Sequence, residues 1–350
     1  MGVRSPAIAV VTQSTRLAGL KARWATKGAA AFRLKLARAH VAALASPAAT
    51  AASPPTKPSP QTAVDEAADF DEYEEEDLTY QQTLALLKRD LADLGFPLKS
   101  VDRGFLPNFQ FGQCVAVVVV GQDGLVANTA KYVARVADES GKSLPIVAVN
   151  PDPKRYDGIL LPFRVRQARR ALQRTLDRQA RIREVTLAEA NLNDGQQLLA
   201  FNDFFLGVAS HVSARYTLRV AGRAEVQSSS GMIVATGAGS TGWISSIFNM
   251  VEGFARSMGG KPCPPLRLPW EDRRLIWAVR EPFRSKHSSA ELVGGLLEPR
   301  ERLVVESLMP SGGVIFSDGI EADYLEFASG TIATLGVSQH RARLVVGYGS

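Results

Sequence analysis

Six consecutive apolar residues, Val115–Val120, run straight into Gly121-Gln122-Asp123-Gly124. A short, β-branched apolar run bounded by a turn reads as a strand buried on both faces, the kind found inside parallel sheets. A helix from about Asn128 to Ala137 and a strand Ile146–Val149 follow. Ahead of them stand a strand Ala7–Val11 and a basic helical stretch from Lys27 to Leu44, with Phe32, Leu36 and Ala39 at helical spacing. Strand and helix alternate, which predicts a doubly wound parallel sheet.

Charge divides the N-terminal part. Residues 1–64 hold nine Lys or Arg and no acid, whereas 65–77 carry nine acidic side chains in thirteen positions. With the Ala/Pro/Ser-rich stretch 46–60, this predicts a flexible insertion over 46–77. Helical structure is expected to resume at Thr79, where Thr79 and Gln82 form a capping-box pair ahead of Leu84, Leu87, Leu91 and Leu94. The Arg-dense helix after Arg164, to about Gln179, is either a solvated face or a phosphate-binding one.

From Arg183 the texture changes to short β-rich segments: 183–187, 206–208, 216–220, 232–236, 275–279, 303–306, 314–316 and 331–335. One helix, about Thr241–Arg256, interrupts them. The expected architecture is α/β plus β-rich, with a nucleotide-binding α/β domain at 1–182 and a mostly antiparallel β domain at 183–350.

Several classes fall away. The net charge of +6 comes without interleaved aromatic and basic residues, so nucleic acid is not expected as a partner. Cys114 and Cys263 are the only cysteines, and the four histidines are scattered. A reducing compartment and no structural metal are expected. No apolar run approaches the ~18 residues of a membrane span. The acid-free, Arg- and Ala-rich N-terminus has the texture of a transit peptide. Ala7–Val11 reads instead as a sheet strand, and a cytoplasmic protein is expected.

Three places can carry chemistry. Gly121–Gly124 lies beyond the carboxyl end of a strand and before a helix, where α/β sheets bind ligands. There glycines admit a phosphate or adopt positive φ, and Asp123 could take a proton from a hydroxyl or hold Mg²⁺; the alternative is an ordinary Asp-Gly turn. Gly237-Ala238-Gly239-Ser240-Thr241-Gly242 fits GxGxxG but lies among antiparallel strands, with no acidic residue ending a next parallel strand. It is either a tight turn or a small-residue loop that admits a flat ligand. Asn202-Asp203 could read a ribose or adenine edge, or simply turn.

The order of these segments resembles the ATP-NAD kinases. The matching stretches are 117–127 (VVVVGQDGLVA), 145–152 (PIVAVNPD), 199–206 (LAFNDFFL), 230–245 (SGMIVATGAGSTGWIS) and 314–319 (VIFSDG). The resemblance implies a cleft between the two domains and transfer of the ATP γ-phosphoryl to the adenosine-ribose 2′-hydroxyl of NAD, with Mg²⁺ carried by ATP. It implies Asp123 as general base, Gly121, Gln122 and Gly124 shaping the turn, and Asn202 and Asp203 on NAD. Ser240, Thr241, Gly242 and Trp243 would line the nucleotide pocket, and a homo-oligomer is expected. Departures are Gln122 for glycine, Leu125 for threonine, Asp203 for glutamate, Ser230 for aspartate and Trp243 for tyrosine. They leave two alternatives: a binding-only NAD or NADP sensor, and a lipid kinase of the diacylglycerol or sphingosine type, for which Phe105, Phe109 and Phe111 could form an apolar patch.

Overall fold

The computed structural model describes residues 6–44, 70–137, 140–261 and 263–348. In chain order the first part is β1 (Ala7–Thr12), α1 (Arg16–Trp24), α2 (Lys27–Leu44), α3 (Phe70–Ala92), β2 (Leu98–Asp102), β3 (Cys114–Val120), α4 (Asp123–Val133), β4 (Pro145–Asn150), β5 (Phe163–Arg164) and α5 (Val165–Leu176). β2, β1, β3, β4 and β5 are parallel neighbours.

Successive side chains of a strand point to opposite faces, and these strands bury both. Ile8, Val10, Ala116, Val118, Val120, Val147 and Val149 pack against Tyr80, Leu87 and Leu91 of α3 and Ala168, Ala171 and Leu172 of α5. Ala9, Val11, Val117, Val119, Ile146 and Ala148 pack on the other face with Leu125, Val126, Ala130 and Val133 of α4. Each such valine removed from water contributes roughly 2 kcal/mol, which explains why the run at 115–120 has no polar position.

The remaining elements are β6 (Ala180–Leu192), β7 (Gln197–Ala200), β8 (Asp203–Val208), β9 (Ala214–Val220), β10 (Arg223–Ser229), β11 (Met232–Ala235), α6 (Trp243–Ser257), β12 (Leu275–Val279), β13 (Gly294–Leu297), β14 (Leu303–Ser307), β15 (Gly313–Ser317), β16 (Ile320–Glu326) and β17 (Ile332–Tyr348). An antiparallel sheet of six strands runs β13-β12-β11-β8-β15-β16. The other sheet has eleven strands, ordered β10-β9-β14-β17-β4-β3-β1-β2, with β5 on β4 and the β6–β7 pair on β17. β17 joins its two textures: it pairs parallel to β4 at Arg343 and Leu344 and antiparallel to β6 along most of its length. β6 itself passes without a break through position 182.

Three expectations need correction. The acidic run at 70–77 is not part of an insertion but the first two turns of α3, while 46–69 lies outside the described residues. Asp71 and Glu72 sit in the first turn, where the helix dipole favours acids. Further along, Glu74 pairs with Lys27, Glu76 with Arg16 at 2.5 Å, and Asp77 accepts from Thr15 Oγ1. The Thr79–Gln82 pair therefore falls mid-helix and caps nothing. α4 starts at Asp123, not Asn128, so its first turn includes the Asp-Gly pair. Helix α2 runs from Lys27 to Leu44 as expected, with Phe32 and Leu36 63% and 53% exposed on it.

Candidate functional site

Asp123 is the first residue of α4, immediately beyond the carboxyl end of β3. Its carboxylate is half-buried, and Oδ1 accepts the Leu160 N–H at 2.8 Å. Leu160 belongs to the β4–β5 loop, which is itself tied down. Asn150 Nδ2 donates to the Tyr156 carbonyl at 3.0 Å, and Asn150 Oδ1 accepts from Asp152 N–H. Gly158 holds φ +66° beside the Asn150 amide, where a Cβ would stand 2.5 Å from Nδ2. The loop thus fixes one oxygen of Asp123 and leaves Oδ2 without a protein donor among the described residues.

The glycines of the turn differ in purpose. Neither Gly121 nor Gly124 is in the positive-φ region, so that use of glycine does not apply here. A Cβ on Gly121 would lie 2.7 Å from Leu125 Cδ2 and 3.1 Å from the Gln13 side chain, so a larger residue there would make those side chains shift. Gly124 faces open space, as an approach to the N–H groups at the start of α4 requires. Gln122, the N-cap residue, is exposed and makes no side-chain cap hydrogen bond.

A second wall of candidate residues stands at one end of the six-stranded sheet. Asp203 opens β8 beside Ala235 of β11, and the β15–β16 turn brings Asp318 next to it. Asp318, at φ +55°, accepts Phe201 N–H at 3.1 Å and Asn202 N–H at 2.6 Å, and donates its own N–H to the Asp203 carbonyl at 3.0 Å. Burial pushes the Asp203 carboxyl up to about 7, with the neighbouring Asp318 charge adding to it. Asp318 is raised as well, again chiefly by burial, which its backbone donors and Lys131 oppose.

Lys131 was missed in the sequence. It is a buried lysine on α4 that donates to Ser317 Oγ and Asp323 Oδ2, both at 3.0 Å, while Tyr132 also donates to Asp323. One helix therefore starts at Asp123 and ends gripping the hairpin that carries Asp318. These partners lie 186–192 residues apart in sequence, and no local pattern announces them.

The 237–242 loop is held by backbone contacts. A Cβ on Gly237 would fall 1.9 Å from the Pro269 carbonyl oxygen, and one on Gly239 2.0 Å from the Asn202 carbonyl oxygen. Ser240 is buried, its hydroxyl donating to the Gly237 carbonyl at 2.7 Å. Outward the loop presents Thr241, Gly242 and Trp243. A Cβ at Gly242 would be 3.9 Å from Asp203 Oδ2. Trp243 stacks on Phe205 at 5.5 Å and 10°, near Phe316, with the Arg280 guanidinium over both the Trp243 and Phe205 rings.

The two walls share one core, in which Leu125, Val126, Leu199 and Phe201 pack together with Ala238 against them. A cavity of about 720 Å³ lies elsewhere, at the amino-terminal ends of β1, β3 and β4 around Pro6, Cys114 and Pro145, and none of the acidic or aromatic groups above lines it. The proposed apolar trio does not form: Phe105 is exposed, but Phe111 is buried and packs edge-on to Phe109 at 4.8 Å. No described helix is long and apolar enough to cross a membrane. No group of three or more metal-ligating side chains occurs among the described residues.

No family model matches the sequence, and no curated protein matches it. Among solved structures, the chain is similar to yeast NADH kinase complexed with NADH, at 15% identity and TM-score 0.51, over 98% of this chain and 84% of that one. It also matches an NAD kinase from Archaeoglobus fulgidus in complex with ATP, at 18% identity and TM-score 0.49, over 75% and 88% of the two chains. At such identity the likeness to the yeast enzyme is one of fold: a parallel-centred α/β sheet joined to an antiparallel β region.

Proposed function

We propose that this chain is an NAD kinase-like phosphotransferase that moves the γ-phosphoryl of ATP to the 2′-hydroxyl of the adenosine ribose of NAD. The observation that carries the reading is Asp123 at the start of α4, with Oδ1 held by Leu160 N–H and Oδ2 left to accept a proton. A general base needs that combination of fixed direction and an unengaged oxygen. Phosphoryl transfer asks otherwise for positioning and charge stabilisation. In this reading the N–H groups around Gly124 approach the phosphates.

On the second wall, Asn202 and Asp203 would bind ribose hydroxyls, and the Asn202 side-chain amide has no partner among the described residues. Thr241, Gly242 and the Trp243 ring would face the base or nicotinamide, whereas the buried Ser240 hydroxyl would keep the loop in shape. Mg²⁺ enters with ATP. Bound there, it would supply charge neutralisation between phosphates, and the raised carboxyls of Asp203 and Asp318 would favour a nearby cation. A homo-oligomer belongs to the same proposal; Met250, Val251, Phe254 and Met258 give α6 an exposed apolar stripe for it.

Purified protein incubated with NAD, ATP and Mg²⁺ should form NADP, and NADH in place of NAD should form NADPH if the reduced ring is also accepted. NAD binding with no phosphorylated product from either would replace this reading with the binding-only one, which Ser230 in place of aspartate favours.

A further inference from the structure

Phe205, Phe316 and Trp243 form a three-ring stack at the end of the six-stranded sheet. The Phe205 centroid lies 5.0 Å from Phe316 and 5.5 Å from Trp243, and Trp243 lies 6.4 Å from Phe316, with interplanar angles of 30°, 10° and 23°. Two glycines make the bed for it. A Cβ on Gly207, or on Gly231 at φ +94°, would run into the Phe205 ring. Phe205 and Phe316 are buried, whereas Trp243 is 36% exposed and is the ring that a planar ligand can reach.

Arg280 stands beside this stack, one residue beyond β12. Its backbone is pinned on both sides: its N–H donates to the Gly231 carbonyl at 2.8 Å, and its carbonyl accepts the Ser230 N–H at 2.9 Å. The guanidinium carbon is 5.4 Å from the Trp243 centroid and 5.9 Å from that of Phe205. At that range the ring faces attract a cation. No acceptor among the described residues takes a hydrogen bond from this guanidinium, and the carboxylate paired with it, that of Glu281, is 3.9 Å away and exposed. Such a pair contributes little. A planar fork of five N–H donors is thus held by the rings and left open to a ligand. Ser230, where the resembled family has aspartate, brings no opposing charge against it.

We propose that Arg280 sets the specificity of this site for a planar heterocycle carrying an anionic substituent: a pyridine nucleotide with a ring carboxylate in place of the carboxamide of NAD. The ring lies on Trp243 and the carboxylate takes the guanidinium fork, to which two coplanar oxygens are matched. A carboxamide offers one acceptor oxygen and no charge. This rests on the reading that the site binds a pyridine dinucleotide, and it names the pyridine group preferred.

The test is calorimetric titration of the purified protein with NAD and with its ring-carboxylate analogue, deamido-NAD. The analogue should bind roughly ten- to a hundredfold more tightly, the scale of one hydrogen-bonded charge. Arg280→Gln should bring the two affinities together, with the loss falling on the analogue. Arg280→Lys keeps the charge without the fork and should retain part of the preference. The readout is the ratio of two ligands on one protein, from which any loss of folded material cancels. Equal affinities in the wild type would overturn the proposal, as would a preference that survives Arg280→Gln; NADP formation would still decide on phosphotransfer. A preference that Arg280→Gln removes, without phosphorylated product from either ligand, supports the proposal and counts against phosphotransfer alone. A wild type that binds neither dinucleotide overturns both.

Discussion

The two walls of the candidate site are built on opposite principles. The Asp123 wall is made of backbone: a strand end, a helix start, and a loop N–H that fixes one carboxylate oxygen. The second wall is made of burial: two carboxyls pushed upward by desolvation, Asp203 also by the Asp318 charge, beside a stacked Trp243–Phe205 pair. The first leaves one carboxylate oxygen without a protein donor among the described residues. The second withholds water, which strengthens contacts to a bound polar ligand and makes its own protonation depend on the surroundings.

That contrast yields four outcomes. Asp123→Asn should lower NADP formation by ~10² or more while leaving the thermal midpoint nearly in place, since positioned general bases contribute ~10²–10⁴. An unchanged rate would take Asp123 out of the mechanism and blur the two walls. Next, Gly239→Ala should destabilise by about 2–3 kcal/mol in urea titration, because its Cβ meets the Asn202 carbonyl and the backbone must shift. Third, Asp203 should make stability depend on pH. Its folded value, about 7, lies above an unfolded value near the usual ~4. The contribution is thus fully present below pH ~4 and is lost as pH rises through 7. Asp203→Asn should flatten that slope and gain about 1–2 kcal/mol at pH 8, read from melts across pH. Smallest, Gly124→Ala should change stability by less than about 1 kcal/mol, in the stabilising direction expected for a helix. It should nevertheless weaken ATP binding, seen by titration, if the open space at Gly124 is the approach to the phosphates.

Legibility followed the same division. The Val115–Val120 strand and the GQDG turn could be read directly, because a buried parallel strand leaves an unbroken apolar run and its ligand end is fixed by chain direction. The helix start was misplaced at Asn128 because Asp-Gly favours turns and helix N-termini alike. The Thr79–Gln82 pair misled for a related reason: a capping pattern is local, while helix α3 extends upstream through acids paired with Arg16 and Lys27 and hydrogen-bonded by Thr15 from a distant segment. On the burial-built wall Asp203 and Trp243 were visible as residues, but not their chemistry. The raised carboxyl comes from burial and then from Asp318, the stack needs Phe205, and the hairpin is held by Lys131, none adjacent to its partner's motif.

The long strand β17 has a consequence for how the molecule is made. Residues 332–348 complete the hydrogen-bonding of β4, β6 and β14 together, and the Arg343–Pro145 register spans most of the described chain. During synthesis at ~5–20 residues per second, the parallel strands exist for many seconds with β4 lacking that neighbour. Pairing at such sequence separation is also slow once it can begin. A nascent chain stopped before Ile332 would display three unpaired strand edges at once, the form in which a sheet protein recruits other chains. Closure of the sheet therefore waits until β17 has been made, and the demand for chaperones should fall on the interval before it.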